Sequence, residues 1–325
     1  KLSALGDIIH AMVVLQFIKK NIKDIKIDWV VEESYKELLE FHPDINKIHV
    51  VNFREAKKKK SVYLFLKELK KLRSFGTFDM VIDMQGLIKS AVVSRLISSQ
   101  KTIGFDNSSL REGVASIFYN RVFKFDYERN IIERNLALIA DTLNFNFFHK
   151  NIDEKMPFLY SSRNYLISSI SLSLPNIILV PGASFKAKCL PVEMIAEIAS
   201  KIDANFLIIW GNNQEKEMAI KIKKLSPKVE ILHKMSLDEL ISLIGQVDLV
   251  LGPDTGPTHM AWALNIPSIT LFGPTPGSRN TYITEINKII ESNSIVNPKK
   301  IDKNDESIKD IKNYDIVKIT KQLLG

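Results

Sequence analysis

The sequence predicts an α/β protein built mainly on parallel sheets, and three observations predict it. Short apolar runs rich in Val, Ile and Leu alternate with longer amphipathic segments along the chain. Several runs are apolar throughout, as strands covered on both faces are. Most runs end in turns with Gly, Pro, Asp or Asn. Two such series, separated by residues 144–175, predict two Rossmann-like domains.

Length, charge and cysteine content narrow the class of protein. The 325 residues suffice for two domains, and no apolar segment approaches the ~20 residues that cross a bilayer. The one cysteine, Cys189, excludes an internal disulfide and fits a reducing cytoplasm. The net charge of +8 favours an anionic partner such as nucleic acid, a phospholipid surface or a phosphorylated substrate.

The first series begins at a glycine turn, Gly6-Asp7, that opens an apolar helix. A βα unit has a strand before such a turn, so we expect a short strand to precede Lys1 in the complete protein. Apolar runs predict strands at 27–31, 47–51, 78–83, 103–104 and 121–125. Helical periodicity predicts helices at 8–19, 34–41, 54–73, from 87 onward and at 128–143.

The predicted helix at 54–73 is unusually basic. It contains nine Lys or Arg residues and two Glu, with apolar residues at helical spacing. Such a segment is commonly a solvated surface, but a basic amphipathic helix also rests on anionic membranes. Both interpretations stay open from the residues alone.

The second series follows residue 175. Strands are predicted at 177–180, 206–210, 229–232, 247–251 and 269–272. Helices are predicted at 191–202, from 214, at 236–244, after the 252–257 turn and at 314–324. Ser236 with Glu239 three residues later has the pattern of a capping box. We expect the last helix to pack back on the first domain.

The stretch from Val247 to Gly273 carries the clearest candidate site. A buried strand ends in the turn Gly252–Pro257, where Asp254 or Thr255 can cap the helix that Pro257 begins. Unpaired N–H groups and the positive end of a helix dipole favour a phosphate there. The same corner also occurs in doubly wound domains without such a ligand. His259, one turn later, is either a ligand contact or a core residue.

Neither series contains a convincing G-x-G-x-x-G, which argues against a nicotinamide enzyme. The architecture instead predicts two lobes with ligand at the carboxyl ends of the strands.

Five motifs, in order, resemble glycosyltransferase family 9 over essentially the whole chain. They are LGDIIH at 5–10, WVVEE at 29–33, DMQGLIKSA at 83–91, ASIFYNR at 115–121 and GPDTGPTH at 252–259. The resemblance implies a GT-B fold of two Rossmann-like domains facing a central cleft. It assigns residues 1–155 to acceptor binding, 156–310 to ADP-heptose binding and 311–325 to the helix that returns to the first domain.

The resemblance also implies the reaction, which is an inverting, metal-independent transfer of L-glycero-D-manno-heptose from ADP-heptose to the inner Kdo of Kdo2-lipid A. Asp7 matches the family's catalytic base and Lys188 the lysine that offsets leaving-group charge. The implied substrate-binding residues are Gly6, Ser184, Glu215, Met235, Asp254, Thr255, Gly256 and His259. Ser184, Thr255 and Gly256 would bind phosphate, Glu215 the ribose, Met235 the adenine and Asp254 the heptose hydroxyls.

The resemblance implies no cofactor and no metal, a monomer, and a cytoplasmic location on the anionic inner face of the inner membrane. Candidate acceptor contacts are Lys89, Arg111 and Arg121. A family member that adds heptose to a different core acceptor remains the nearest alternative, because the motif at 83–91 is the only sequence feature that argues against it. A non-catalytic nucleotide- or nucleic-acid-binding protein is a second alternative, although no nucleic-acid motif is visible.

Overall fold

The computed structural model describes the whole chain, Lys1–Gly325, as two compact units, Lys1–Lys155 and Met156–Gly325. Every strand pair in either unit is parallel. None of the helices combines the length and the apolarity needed to span a membrane.

The first unit contains five strands and seven helices. The strands are β1 (Asp28–Glu32), β2 (Lys47–Val51), β3 (Thr77–Ile82), β4 (Ser98–Phe105) and β5 (Arg121–Phe123). The helices are α1 (Leu5–Met12), α2 (Val14–Asn21), α3 (Phe53–Lys58), α4 (Val62–Leu72), α5 (Ile88–Leu96), α6 (Ile131–Leu143) and α7 (Lys150–Asp153). The predicted helix at 34–41 is instead a short 3-10 segment, Glu33–Leu38.

The strands of the first unit form two sheets, β1-β2 and β3-β4-β5. Leu2 lies beside the end of β1, where its carbonyl accepts the Glu32 N–H at 3.1 Å. Its own N–H donates to Gln85 Oε1 at 2.8 Å. A cavity of about 180 Å³ is lined by both sheets, Trp29 and Val81 among its walls.

The basic segment forms two helices rather than the one predicted. Lys60 adopts a left-handed backbone with φ of 48°, and Ser61 Oγ then accepts the Leu64 N–H at 3.2 Å as the cap of α4. The chain therefore turns between α3 and α4. Phe53 and Phe65 join the two helices with ring centroids 5.5 Å apart.

The second unit contains six strands and six helices. The strands are β6 (Asn176–Leu179), β7 (Asn205–Ile208), β8 (Val229–Ile231), β9 (Leu249–Pro253), β10 (Ser268–Phe272) and β11 (Asn287–Glu291). The helices are α8 (Val192–Ser200), α9 (Asn213–Leu225), α10 (Leu237–Ile244), α11 (Gly256–Ala263), α12 (Gly277–Asn280) and α13 (Asn313–Leu324). One sheet contains all six strands in the order β11-β10-β9-β6-β7-β8.

The central strands explain why this sheet is stable. Every residue of β9 and β10 is buried, as the apolar runs predict for strands covered on both faces. The predicted capping box on α10 is present, with Ser236 Oγ accepting the Glu239 N–H at 3.2 Å. β11 is an additional strand that the sequence did not predict.

The predicted carboxyl-terminal helix is present as α13. α13 belongs to the second unit, where it packs against α8 and β10. The buried Ile316 joins the apolar core of the second unit. Asn313 at its start also donates to the Glu197 carboxylate of α8.

Candidate functional site

The strand order of the second unit creates a ligand-binding position. The chain enters the sheet at β6, adds β7 and β8 on one side, and then adds β9, β10 and β11 on the other. β6 and β9 are therefore neighbours whose following loops diverge. In doubly wound sheets a crevice opens at the carboxyl ends of such a strand pair. We name six residues of these loops and of the first turn of α11 the β6–β9 site: Ser184, Lys188, Asp254, Thr255, Gly256 and His259.

Asp254 is the centre of this site. It follows β9 directly and is only 7% exposed. Its Oδ2 accepts hydrogen bonds from Lys188 Nζ at 2.8 Å and Thr275 Oγ1 at 2.9 Å. Its Oδ1 lies 2.9 Å from His259 Nε2, and Asn280 Nδ2 makes a longer contact of 3.4 Å to Oδ2. Four donors from four segments thus converge on one buried carboxylate.

The charge state of Asp254 follows from these partners. Burial alone would raise the pKa of its carboxyl, because a buried anion loses hydration. The Lys188 charge and the hydrogen bond from His259 outweigh burial and hold this pKa well below its usual range. Asp254 is therefore ionised and pairs with Lys188 inside the protein.

Lys188 reaches Asp254 because the loop after β6 is tightly folded. A 3-10 turn, Lys186–Lys188, places the side chain inward, and Lys188 is 8% exposed. The Leu190 N–H donates to the Pro181 carbonyl at 3.2 Å, which closes the loop. The Lys188 ammonium also lies 5.7 Å from the centre of the Phe185 ring. The amine is thus held in one position.

Thr275 and Asn280 are site residues that the sequence analysis missed. Thr275 follows β10, the neighbour of β9, so the rule that parallel strands end at one edge could have indicated it. Asn280 gave no such signal, because it approaches Asp254 only through the short helix α12.

The amino-terminal end of α11 adds hydrogen-bond donors. Thr255 is extended and precedes the helix, and Gly256 is the first helical residue. Thr258 Oγ1 donates to the Thr255 carbonyl at 2.8 Å and so stabilises the first turn. The first-turn N–H groups have no partners within a helix, and the helix dipole is positive there. This end of α11 has the donors and the polarity that an anion needs.

Glu215 lies at the start of α9, after the neighbouring strand β7. Its carboxylate accepts the Gly211 N–H at 2.6 Å and Asn212 Nδ2 at 2.7 Å. The side chain also packs against Gly182, where a Cβ atom would lie 2.3 Å from Glu215 Cγ. The glycine of the Pro181-Gly182 turn is therefore needed for close approach, and Glu215 lies beside the loop that carries Ser184.

Ser184 and Met235 complete the edge of the sheet. Ser184 is exposed in the loop after β6, and Met235 is partly exposed in the loop between β8 and α10. The loops after β6, β7, β8 and β9 all leave the carboxyl edge of one parallel sheet. The structure thus places every second-unit residue of the predicted site in loops at that edge or in the first turns of the helices that follow.

Gly6 and Asp7 lie in the first turn of α1, in the first unit. Asp7 Oδ2 accepts the Ala4 N–H at 3.2 Å, and Lys1 Nζ lies 3.8 Å from Asp7 Oδ1. The Asp7 side chain is 48% exposed. Its carboxylate is therefore fixed at the helix start while part of it faces solvent.

The 83–91 string has a structural explanation. Asp83 is buried, and its Oδ1 accepts the Gln85 N–H at 2.8 Å while its Oδ2 accepts Ser90 Oγ and Tyr119 O–H, each at 2.7 Å. Burial and the Asp83 charge raise the pKa of Tyr119, so its hydroxyl stays a donor. Gly86 has φ of 69°, a conformation that favours glycine. Asp83 thus fixes the loop between β3 and α5.

The three candidate acceptor contacts in the first unit are each paired with a carboxylate. Lys89 pairs with Glu32, whose side chain is buried. Arg111 Nη2 lies 3.4 Å from a Glu112 oxygen. Arg121 Nη2 lies 2.7 Å from Asp141 Oδ2.

No group of three or more His, Cys, Asp or Glu side chains is arranged to hold a metal ion. The cation of the β6–β9 site is the Lys188 ammonium.

Sequence comparisons identify the family of the chain. A profile of glycosyltransferase family 9 (heptosyltransferase) matches residues 65–309. The chain is 40% identical over 344 aligned residues to lipopolysaccharide heptosyltransferase 1 of Campylobacter coli, covering 100% of this chain and 98% of that protein. It is 29% identical over 293 residues to lipopolysaccharide heptosyltransferase 1 of Pseudomonas aeruginosa, covering 87% and 80%.

Solved structures show the same fold. The E. coli heptosyltransferase WaaC with ADP-2-deoxy-2-fluoro heptose superimposes with a TM-score of 0.78 at 23% identity, covering 99% of this chain and 98% of that one. A family 9 glycosyltransferase from Veillonella parvula gives a TM-score of 0.83 at 16% identity, covering 100% and 95%. These likenesses confirm the predicted GT-B fold class. Given the family profile and the full-length relative, the chain belongs to glycosyltransferase family 9, the heptosyltransferases.

Proposed function

We propose that this enzyme transfers L-glycero-D-manno-heptose from ADP-heptose to the inner Kdo of Kdo2-lipid A, in lipopolysaccharide core biosynthesis. The observation that carries the proposal is the 40% identity, over the full chain, to lipopolysaccharide heptosyltransferase 1 of Campylobacter coli. The WaaC structure, whose bound ligand is an ADP-heptose analogue, supports the choice of donor.

The proposed reaction is a single displacement with inversion. The acceptor hydroxyl oxygen attacks the anomeric carbon, and the Asp7 carboxylate takes the hydroxyl proton. The bond between the anomeric carbon and the diphosphate oxygen breaks, and ADP leaves with the bonding electrons. Lys188 and the N–H groups at the start of α11 stabilise the charge that develops on ADP.

Asp254 has a positioning role in this proposal. Its buried carboxylate holds Lys188 Nζ at 2.8 Å, so the ammonium does not reorganise during the reaction. The sequence-based role for Asp254 is to hold heptose hydroxyls. Its longest contact, 3.4 Å to Asn280 Nδ2, is the one that a sugar hydroxyl replaces most easily. His259 Nε2 holds the other carboxylate oxygen of Asp254.

The loops at the carboxyl edge of the second-unit sheet provide the remaining contacts to ADP-heptose. Ser184, Thr255 and Gly256 bind the diphosphate through hydroxyl and N–H groups. Glu215 accepts the ribose hydroxyls through the free lone pairs of its two oxygens. Met235 packs on the adenine, for which a polarizable thioether is suited.

Metal independence is part of the proposal. A diphosphate leaving group needs a cation, and the buried Lys188 supplies one at a fixed position. Turnover that stays constant after chelation, and shows no gain on adding Mg²⁺, is the expected result.

The proposed acceptor contacts are Lys89, Arg111 and Arg121. Their positive charges suit the carboxylates of Kdo and the phosphates of lipid A. Each must exchange or share its present carboxylate partner to do so. We propose that the enzyme acts as a cytoplasmic monomer on the inner face of the inner membrane, where such an acceptor resides.

A choice between two acceptors tests the proposal. Equal amounts of Kdo2-lipid A and its mono-heptosylated form are offered with ADP-heptose, and products are separated by mass. We expect heptose on Kdo2-lipid A, with little second addition. Preferential addition to the mono-heptosylated form would favour a heptosyltransferase for a later core acceptor.

A further inference from the structure

The exposed side of α4 joins apolar and basic side chains in a way that the fold does not require. Val62, Tyr63 and Leu66 are 71%, 74% and 57% exposed. Lys67, Lys70 and Lys71 follow on the next turns and are exposed as well. We name these six residues the α4 surface: Val62, Tyr63, Leu66, Lys67, Lys70 and Lys71.

The opposite side of α4 is already packed. Leu72 is fully buried in a cluster with Val51 and Phe53, and Leu69 packs against that cluster. Phe65 contacts the Phe53 ring at 5.5 Å. The helix therefore has a satisfied inner face, and the apolar side chains of the α4 surface are additional to it.

The charge around this surface is concentrated. Residues 54–73 contain nine basic and two acidic residues, a net +7, in a chain whose net charge is +8. Lysine side chains can lay their methylene stems on an apolar boundary while their ammonium groups reach outward. Apolar residues at one end of a helix face with lysines beside them fit the boundary between headgroups and acyl chains.

We propose that the α4 surface docks the enzyme on an anionic lipid bilayer, with Val62, Tyr63 and Leu66 entering the acyl boundary. Charge complementarity selects this occupant. If a second copy of the chain docked there, two segments that each have a net charge of +7 would face and repel each other. A nucleic acid would satisfy the lysines but offer Val62 and Leu66 no partner, and only Tyr63 could stack on a base.

Docking on a membrane would bring the enzyme to its proposed acceptor, because an acceptor with acyl chains lies in a membrane. In this respect the proposal rests on the proposed function. Its test uses neither donor nor acceptor, so the two can fail separately. The chain is sedimented with phosphatidylcholine vesicles that contain or lack phosphatidylglycerol. We expect binding to the anionic vesicles that weakens as salt is raised.

Two triple variants separate charge from insertion. Lys67→Gln, Lys70→Gln and Lys71→Gln together should weaken binding about a hundredfold, at roughly fivefold per lysine. Val62→Ser, Tyr63→Ser and Leu66→Ser together should weaken it about tenfold or more. The matched control is Lys221→Gln, Lys223→Gln and Lys224→Gln on α9, a helix that also exposes Ile220 and Leu225. It should bind as the unchanged chain does.

A fourth variant reports insertion without removing any interaction. Tyr63→Trp should show fluorescence quenching by lipids brominated on their acyl chains, beyond the quenching of the unchanged chain. Circular dichroism checks that each variant is folded. Equal binding to neutral and anionic vesicles, undiminished binding of the serine variant, or an equal loss in the α9 control would each overturn the proposal. So would tight binding to duplex DNA that the serine variant retains while vesicle binding is absent.

Discussion

Lys188 and Asp254 form a buried ion pair, with Nζ 2.8 Å from Oδ2 and each side chain almost excluded from solvent. The two residues come from loops that follow neighbouring strands, 66 positions apart in sequence. The pair therefore fixes a cation at the carboxyl edge of the sheet, and it couples the stability of the site to its proposed chemistry.

Lys188→Met keeps the side-chain volume and removes the charge. We expect kcat to fall by about 10²–10³, because the leaving diphosphate loses its main cation. The free energy of unfolding should fall by about 3–5 kcal/mol, since Asp254 is left buried and unpaired. Steady-state kinetics and urea unfolding measure the two effects.

The double variant Lys188→Met/Asp254→Asn is the control for that change. Removing the second charge should recover part of the stability without recovering turnover. Recovery of turnover in the double variant would discard Lys188 as the stabiliser of the leaving group.

Thr275→Val tests the positioning of Asp254. The variant is nearly isosteric and removes the hydroxyl that donates to Oδ2 at 2.9 Å. We expect a loss of about 1 kcal/mol in unfolding free energy and a lower kcat with little change in KM. Thr275→Ser, which retains the hydroxyl, should restore kcat. If Ser and Val variants have the same kcat, the hydroxyl does not position the carboxylate.

The pH dependence of stability follows from the depressed pKa of Asp254. A carboxyl whose pKa is lower in the folded state contributes stability above its unfolded pKa of about 3.9, and this is lost as pH falls through the folded value. The difference in unfolding free energy between the unchanged chain and Asp254→Asn should stay constant from about pH 7 to pH 5. This difference in unfolding free energy should become smaller only below about pH 3.9, as measured by urea unfolding at each pH. Narrowing already between neutral pH and pH 5 would contradict an ionised, paired Asp254.

Gly182→Ala should disturb Glu215. The added Cβ would lie 2.3 Å from Glu215 Cγ, so the carboxylate must move. We expect the Kd for ADP-heptose to rise about tenfold, equivalent to about 1.4 kcal/mol. Gly211→Ala is the matched control, because its Cβ would lie 3.4 Å from Glu215 Oε2, an ordinary contact distance for most atoms. Calorimetry that finds equal Kd values for both variants would remove Glu215 from the donor site.

Asp7→Asn should lower turnover by about 10²–10⁴ while ADP-heptose binding is unchanged, because an amide cannot take the acceptor proton. Single-turnover kinetics with separate donor titration measure both quantities. Near-normal turnover would exclude Asp7 as the base.

The sequence predicted the sheet of the second unit well because its buried strands are short, apolar and bounded by turns. The apolar run Val247–Leu251 predicts β9, and the 252–257 corner predicts α11. Both elements begin within two residues of their predicted starts. β11 escaped prediction because only two of its five residues, Ile289 and Ile290, are apolar. The break at Lys60 escaped because residues 57–61 contain no glycine or proline that would mark a turn.

The candidate site was predicted in part. The 252–257 corner and His259 could be named from the residues, since a strand–turn–helix corner lies at the carboxyl edge of a parallel sheet. The roles of Ser184, Lys188, Glu215 and Met235 were implied only by the family resemblance. The pairing of Lys188 with Asp254 could not be predicted, because the two residues meet only through the adjacency of β6 and β9. The burial of the pair, and the donors Thr275 and Asn280, depend on side-chain packing that no local pattern encodes.

The most direct measurement is a transfer reaction with ADP-heptose and Kdo2-lipid A in excess chelator, with products identified by mass. We expect mono-heptosylated Kdo2-lipid A and ADP in equal amounts, at the same rate as with Mg²⁺ added. No transfer despite tight ADP-heptose binding would contradict the acceptor, and transfer only with a divalent cation would contradict the role of Lys188.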